Sequence, residues 1–325
     1  MKKLLRVGTR ESQLAVWQAE QVKTLLSKAG YGSELVYIKS EGDIDLKTPL
    51  YEMGVQGIFT RSLDISLLNS RIDIAVHSMK DVPTQLPEGI VQAAVLQRGS
   101  YKDLLVVNSK LSMVNKQESL KDEKLSDIEK LFTIHHSPFT IATSSIRRKA
   151  QWLNRYPDHT IENLRGNVNT RLKKLDKSTW HGAIFAAAGL ERIGLRPENS
   201  IELDWMLPAP AQGAIVVVCR ENDTESLEAC SNFNDDATAL CTKIERDFLR
   251  TLLGGCSTPI SALAEINNNE VHFKGNILSI NGKHRAEVEK RIAIHEAQNL
   301  GKEAAEELLI KGGKQIAEEI RNAAK

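Results

Sequence analysis

The densest run of polar side chains in the chain follows an apolar strand. Ile72-Asp73-Ile74-Ala75-Val76 reads as that strand, and His77-Ser78-Met79-Lys80-Asp81-Val82-Pro83 stands at its carboxyl end. A carboxylate beside an ammonium in such a place can serve as general acid, general base or stabiliser of a developing cation. A plain surface turn would use the same residue types. The second candidate is a thiol. Cys256 lies in Leu252-Leu253-Gly254-Gly255-Cys256-Ser257-Thr258-Pro259-Ile260, behind two glycines and just ahead of a proline. Glycine admits close approaches that a side chain would block, and Pro259 disfavours helix at the residue before it, so a loop is expected. A cysteine on a loop is accessible, whereas Cys219, Cys230 and Cys241 stand in strand-like or helix-like surroundings and read as packing residues. Cys256 could turn over as a nucleophile or hold a group permanently.

The third candidate is a set of arginines where strands hand over to helices. Thr9-Arg10-Glu11-Ser12, Thr143-Ser144-Ser145-Ile146-Arg147-Arg148, Arg165-Gly166-Asn167-Val168-Asn169-Thr170-Arg171 and Ala188-Gly189-Leu190-Glu191-Arg192 all have this form. Free N–H groups and the dipole at a helix start favour negative charge. Two arginines in a first helical turn oppose that dipole, which makes sense when a carboxylate or phosphate binds there. Ligands on α/β sheets sit at the carboxyl ends of strands. The repetition therefore favours a polyanionic ligand over solvated surface arginines, although Arg10 alone would fit either reading.

The elements that must position these residues are legible from periodicity. Leu14, Trp17, Val22, Leu25 and Leu26 recur at helical spacing and stop at Gly30, a C-cap residue. With strands on either side, ending at Gly8 and running from Glu34 to Lys39, this predicts a parallel β-α-β crossover. A helix is predicted over 60–69, and strands over 89–96, 103–107, 139–142, 160–164, 181–186 and 214–218. Helices are predicted from Thr143 and from Arg165 to near Leu175, and another over 240–253 runs into the cysteine loop. Beyond it, strands over 271–280 and 285–294 flank Asn281-Gly282, a favoured hairpin dipeptide, and helices over 296–310 and 313–324 close the unit. Between Asn108 and Pro138 lies a stretch rich in Lys, Glu and Ser with few apolar anchors, which reads as a surface insertion. Its His135-His136 pair has no third ligand and makes a poor metal site.

At 325 residues the chain has room for two or three domains, and its 41% hydrophobic and 26% charged content is that of a folded protein. No apolar run reaches the roughly 20 residues of a membrane span, and the N-terminus turns polar too soon for a secretory signal. There is no Cys-x-x-Cys pair, and four cysteines do not make a disulfide framework. A soluble cytoplasmic protein is expected, with no metal. A nucleic-acid binder would want net basic charge and interleaved aromatics, against a net charge of +1 and 5% aromatics here.

Seven segments in order resemble the porphobilinogen deaminase (hydroxymethylbilane synthase) family. They are Val7-Gly8-Thr9-Arg10-x-Ser12-x-Leu14-Ala15, Ala75 to Pro83, Thr143-Ser144-Ser145-x-Arg147-Arg148, Arg165-Gly166-Asn167-Val168-x-Thr170-Arg171-Leu172, Ala188-Gly189-Leu190-x-Arg192, Gln212-Gly213-Ala214 and Leu253-Gly254-Gly255-Cys256. The resemblance implies an α/β fold of two doubly wound domains like those of periplasmic binding proteins, with a cleft between them and a small C-terminal α+β domain. The first domain would take residues 1–103 and 212–231, the second 104–211 with the insertion near 109–138, and the third 232–325 with the cysteine loop.

The activity implied is head-to-tail condensation of four porphobilinogen molecules into linear hydroxymethylbilane with loss of ammonia. The implied primer is a dipyrromethane cofactor held as a thioether at Cys256, so the thiol becomes an anchor. Asp81 matches the family's catalytic aspartate, placed to hold pyrrole N–H groups and stabilise a methylenepyrrolenine cation. Each pyrrole carries an acetate and a propionate. Arg10, Arg147, Arg148, Arg165, Arg171 and Arg192 match the positions that bind them, and guanidinium forks pair bidentately with carboxylates. Ser78, Lys80, Thr143, Ser144, Ser145, Gly166, Asn167, Gln212 and Gly213 map to cofactor contacts. Ser12, Gln18 and Phe59 map to substrate contacts. A monomer is expected, without nucleic-acid or membrane partners. Gln56 stands where the family commonly has lysine, and Ala142 and Ala211 replace frequent glycines in turns lining the cleft. A two-domain solute-binding protein could use the same fold and arginines without chemistry, but it would want a secretion signal and no loop thiol.

Overall fold

A computed structural model describes residues 3–39, 60–108, 138–198, 200–252 and 258–323. In chain order, the first part comprises β1 (Leu5–Thr9), α1 (Gln13–Lys28), β2 (Ser33–Tyr37), α2 (Arg61–Leu68), β3 (Ile74–Ser78) and β4 (Ile90–Val95). Next come β5 (Asp103–Val107), β6 (Thr140–Ala142), α3 (Ile146–Arg155), β7 (Thr160–Glu162), α4 (Val168–Lys177), β8 (Gly182–Ala186), α5 (Ala187–Glu191) and β9 (Ser200–Glu202). The chain then forms β10 (Ile215–Arg220), α6 (Thr224–Ser231), α7 (Asp236–Leu252), β11 (Ile260–Asn267), β12 (Glu270–Leu278), β13 (Arg285–Ala293), α8 (Leu300–Leu308) and α9 (Lys314–Ala323).

Two five-stranded sheets share one plan. Their orders are β2-β1-β3-β10-β4 and β7-β6-β8-β5-β9. In each, the first three strands are parallel, as the β-α-β spacing predicts, and the fourth runs antiparallel to both neighbours. In the first sheet that antiparallel strand, β10, comes from outside the sheet's own run of chain, whereas in the second it is β5, the strand that opens the run. After β4 the chain leaves to become β5 in the second sheet, and after β9 it returns as β10 in the first. Periodicity marks β5 and β10 as apolar strands but carries no information on which sheet receives them. It also passes over β9, which is only three residues long, and β11, which begins directly after Pro259. The strand predicted to end at Val76 continues to Ser78, because His77 and Ser78 still pair with Val216 and Ile215.

Both faces of each sheet are covered, which is why β3 and β5 are buried along almost their whole length instead of alternating. Leu5, Val7, Ile74 and Val76 pack under Ala19, Val22 and Leu26 of α1, while Ala75 and Val216 on the other face meet Leu63 and Leu67 of α2. In the second sheet Leu104, Phe185 and Leu175 form one layer, and Ile141, Ile184 and Trp152 the other.

The crossovers touch. Gly99 N–H donates to Gly213 O (3.1 Å) and Arg98 Nε to Gln212 O (2.8 Å). Both are then gripped by α7. The fully buried Glu245 carboxylate accepts from Arg98 Nη1 (2.6 Å) and Nη2 (3.1 Å), from Ala211 N (2.6 Å) and from Ala264 N (2.8 Å). Ala211, one of the alanines in a glycine position, sits at φ +61°, a left-handed conformation that the Glu245 bond holds in place. Ala142 instead ends β6 as ordinary strand.

The third unit is a β11-β12-β13 antiparallel sheet packed on α7, α8 and α9. Phe248 of α7 meets Phe273 edge-on at 5.1 Å. Gly282 takes the positive φ (+74°) expected of the hairpin tip, and its carbonyl accepts from Asn154 Nδ2 of α3 (2.7 Å). Helices α7 and α8 approach so closely that a Cβ on Gly301 would lie 2.1 Å from Ile244 O. Backbone cannot yield there as a side chain can. Gly301→Ala is therefore expected to lower unfolding free energy by about 2 kcal/mol or more by overpacking, despite the ~1 kcal/mol of helix propensity it adds. A urea midpoint unchanged from the parent would contradict this.

Candidate active site

The carboxyl ends of β1 and β3 open onto the starts of α1 and α2. Ser12 caps α1, its Oγ accepting from Ala15 N (3.4 Å), and this leaves Arg10 at the rim. The buried Gln18 donates from Nε2 to Ser78 Oγ (2.9 Å) and so holds the end of β3 against α1. Arg10, Ser12, Gln18, His77, Ser78 and Asp81 line a cavity of about 430 Å³ of empty space open to solvent. His77 belongs to this cavity although the sequence reading gave it no role. Its Nε2 is buried with no hydrogen-bond partner among the described residues. Burial, aided by Arg10, pushes the imidazole down to about 4, so it is neutral at neutral pH.

Lys80 and Asp81 stand on a single 3-10 turn, Met79–Asp81. Lys80 Nζ donates to Gln212 Oε1 (3.3 Å), and Gln212 Nε2 donates onward to Asp103 Oδ1 (2.9 Å). Asp103, at the start of β5, is fully buried and was not singled out from the sequence. It accepts from Arg147 Nη2 (2.7 Å) and from Arg148 Nη2 (2.7 Å) and Nε (3.1 Å). Burial alone would raise its carboxyl, but the charges of Arg147 and Arg148 hold it well below the usual carboxylate range. The two guanidiniums also donate to Leu207 O (2.6 Å) and Ile184 O (2.9 Å). The carboxylate that two arginines in a first helical turn call for is thus, in this structure, the protein's own.

The other junctions converge on the same cleft. Ser145 caps α3, and Ser144 Oγ donates to Leu164 O (2.7 Å), which joins that junction to the next. Thr143 is buried, its Oγ1 accepting from Ser145 N (3.2 Å). Asn167 caps α4 through Thr170 N (2.9 Å). Gly166, at φ +114°, turns its carbonyl to Arg171 Nε (2.7 Å), and the carbonyl of the buried Arg165 accepts from Lys174 Nζ (3.0 Å). Arg192 follows α5, lies over the Trp17 ring at 5.7 Å and donates to Gly213 O (2.5 Å), so it bridges α1 and the returning crossover. At the mouth, Asn169 Nδ2 donates to Gln13 Oε1 (2.9 Å).

These cations are crowded. Burial, together with Arg148 and Arg165, brings Arg171 down to about 10, and Asp81 alone opposes the trend. Burial brings Arg192 to about 10. Lys80 falls to about 8 through burial, with Arg148 and Arg147 pushing the same way and Asp81 and Asp103 pulling back. A buried excess of positive charge over the carboxylates of Asp81 and Asp103, with hydroxyls at two helix starts, suits an anionic ligand carrying several carboxylates. Phe59, Gln56, the His135-His136 pair and Cys256 lie outside the described residues. Cys219, Cys230 and Cys241 are buried free thiols, and burial raises all three. Among the described residues no group of three His, Cys, Asp or Glu could hold a metal ion, and no helix is long and apolar enough to cross a membrane.

Residues 5–228 match a family model described as porphobilinogen deaminase, dipyromethane cofactor binding domain, and residues 239–310 match the porphobilinogen deaminase C-terminal domain. A protein named porphobilinogen deaminase from Desulforamulus reducens is 38% identical over 325 residues, covering 99% of both chains. Another from Chlorobium phaeobacteroides is 37% identical over 329 residues, again covering 99% of both. Among solved structures, a probable amino-acid ABC transporter extracellular-binding protein from Bacillus subtilis aligns with 73% of this chain and 94% of its own at 13% identity and a TM-score of 0.39, which adds nothing to the strand orders described above.

The Lys80 environment can be read directly. With lysines isotopically dimethylated, one resonance absent from Lys80→Arg is expected to titrate near 8 in the ligand-free protein, while exposed lysines titrate near ~10. Its folded value lies below its unfolded one, so the unfolded chain binds more protons between them, and Lys80 makes the fold more stable as pH rises from about 8 to ~10.5. A Lys80 resonance titrating with the exposed lysines would remove this account.

Proposed function

The chain belongs to the porphobilinogen deaminase family, and from that footing we propose that its inter-sheet cleft condenses four porphobilinogen molecules head to tail into linear hydroxymethylbilane with release of ammonia. The observation that carries this is the buried excess of cations in the cleft, with Lys80 at about 8 and Arg171 at about 10 beside Asp81, and Arg192 at about 10 against the returning crossover. An apolar or neutral ligand would leave that charge unbalanced. Acetate and propionate groups on successive pyrroles would balance it along the length of the cleft.

The residues divide the work by their chemistry. The dipyrromethane, when attached at Cys256, supplies the free pyrrole carbon at which the chain grows. Thr143, Ser144 and Ser145 with Arg147 and Arg148, and Arg165, Gly166 and Asn167 with Arg171, hold its carboxylates at the starts of α3 and α4. Gln212 and Gly213 fix the adjoining crossover. Binding there requires Asp103 to share its two guanidiniums with the ligand. Arg10, Ser12, Gln18 and Arg192 hold the incoming porphobilinogen on the first-sheet side, where Phe59 would join them. Asp81 accepts pyrrole N–H groups and stabilises positive charge as ammonia departs, where a carboxylate placed at the developing charge is worth most. Lys80, within the same turn, neutralises a ligand carboxylate while it keeps its proton. The domains we assign are 1–103 with 212–231, 104–211, and 232–325, and the division of the strands into three sheets supports three such units. The protein would act as a cytoplasmic monomer.

Intact mass of natively purified protein should show an adduct of two pyrrole units that is absent in Cys256→Ser. A bare wild-type mass together with no porphobilinogen consumption would sink the reading. Asp81→Asn is expected to fold normally and to lose about 100-fold or more in turnover, in the range of removing a fixed charge-stabilising group. Near-normal turnover would take Asp81 out of the catalytic role.

A further inference from the structure

The turn that carries Lys80 and Asp81 is held at its backbone from two directions. Met79 N–H donates to Ala214 O (3.0 Å), just before β10, and Met79 O accepts from Val82 N (3.1 Å) to close the turn. The rest of the grip comes from the helix of the third unit. Arg246, half-buried on α7, donates from Nη1 to Val82 O (2.9 Å) and Met79 O (3.3 Å), and from Nη2 to Pro83 O (2.5 Å). One guanidinium thus gathers carbonyls on both sides of Asp81. A planar fork bonded at three points sets position and orientation together, which a single bond does not.

The Asp81 side chain has no comparable restraint. Among the described residues its carboxylate accepts no hydrogen bond. Lys80 and Arg171 act on it through space. Where it stands in the cleft therefore follows from where its backbone is held. We propose that Arg246 is a positioning residue for the condensation: through the Met79, Val82 and Pro83 carbonyls it places the Asp81 carboxylate where positive charge develops, without itself touching substrate. This rests on the role given to Asp81 above. The neighbouring Glu245 points its carboxylate to the crossovers instead, so successive residues of α7 hold the two crossovers and the Asp81 turn in one frame.

A double-variant cycle on the cofactor-loaded enzyme tests this. Arg246→Met keeps the stem and removes the donors, Arg246→Lys keeps a charge with fewer directed bonds, and Asp81→Asn is measured alone and combined with Arg246→Met. The expected result is that Arg246→Met retains the adduct by intact mass, keeps KM for porphobilinogen within about twofold and loses at least about tenfold in kcat, of which Arg246→Lys recovers part. A residue that acts only through Asp81 has nothing to add once Asp81 is gone, so the double variant should be no slower than Asp81→Asn. Wild-type kcat in Arg246→Met, loss of the adduct, or losses that multiply in the double variant would each overturn the proposal. Should Arg246→Met not fold, Arg246→Lys enters the cycle in its place with the same outcomes. Near-normal turnover in Asp81→Asn would remove the role of Asp81 itself, whereas an inactive Asp81→Asn beside a fully active Arg246→Met would remove only that of Arg246.

Discussion

Two stretches of chain pass between the sheets; the returning one is buried over residues 210–214, and the outgoing one is partly covered by it. Every buried donor and acceptor on these crossovers must find a protein partner or cost free energy comparable to a lost hydrogen bond. The solution is mutual. Gly99 bonds to Gly213 and Arg98 to Gln212, and Gln212 Nε2 reaches Tyr101 O (2.7 Å) as well as Asp103. Two fully buried carboxylates absorb what remains, Asp103 on the side of the second sheet and Glu245 from α7. Removing one partner from such a buried pair typically costs about 3–5 kcal/mol, because the other charge is left stranded. The geometry of the crossovers is therefore closely specified, and with it the relative placement of the sheets whose carboxyl edges face each other.

The cleft inherits its properties from that arrangement. Lys80 and Arg171 are brought near other cations and partly desolvated, which pushes them below their ordinary values, and burial does the same to Arg192. Isolated from the rest of the fold, this would be poor design. It is tolerated because the crossovers and the apolar layers behind the sheets hold the scaffold independently of the cleft. Burial also makes the neutral His77 respond to charge far more strongly than it would in water. An anion entering the cleft would relieve the repulsion among the cations and raise their pKa values. The same electrostatics that disfavour the empty cleft favour the loaded one.

The small third unit acts as more than a carrier for a loop. Its helix α7 places Glu245 on the crossovers and Arg246 on the turn bearing Asp81, and it ends at Leu252, directly before the segment that leads to Cys256. Packing of Phe248 against Phe273 and the close α7–α8 contact at Gly301 keep this helix stiff. A stiff element that touches the crossovers and the reactive turn together can keep them in register while the contents of the cleft change.

Much of this protein is legible before any fold is seen. Local caps stand where residue types predict them: Ser12, Ser145 and Asn167 each bond the helix they precede, and Gly30 and Gly282 take the positive φ their turns need. Apolar periodicity finds most strands and helices, and the strand-to-helix arginines point to an anionic ligand. These are short-range properties, set within a few residues by backbone sterics and hydrogen bonding. What the chain alone does not disclose is pairing at a distance. Asp103 meets Arg148 across 45 residues and Gln212 across 109, and nothing in the surroundings of a strand-initial aspartate announces that it will be buried as their common acceptor. The return of β10 to the first sheet, the burial of His77 and the grip of Arg246 on the Asp81 turn belong to the same class. Sequence determined which side chains could bind carboxylates and stabilise a cation. Only tertiary structure decided which of them are already engaged by the protein and which face the cleft, because burial and long-range geometry, not residue type, set the state of a charge.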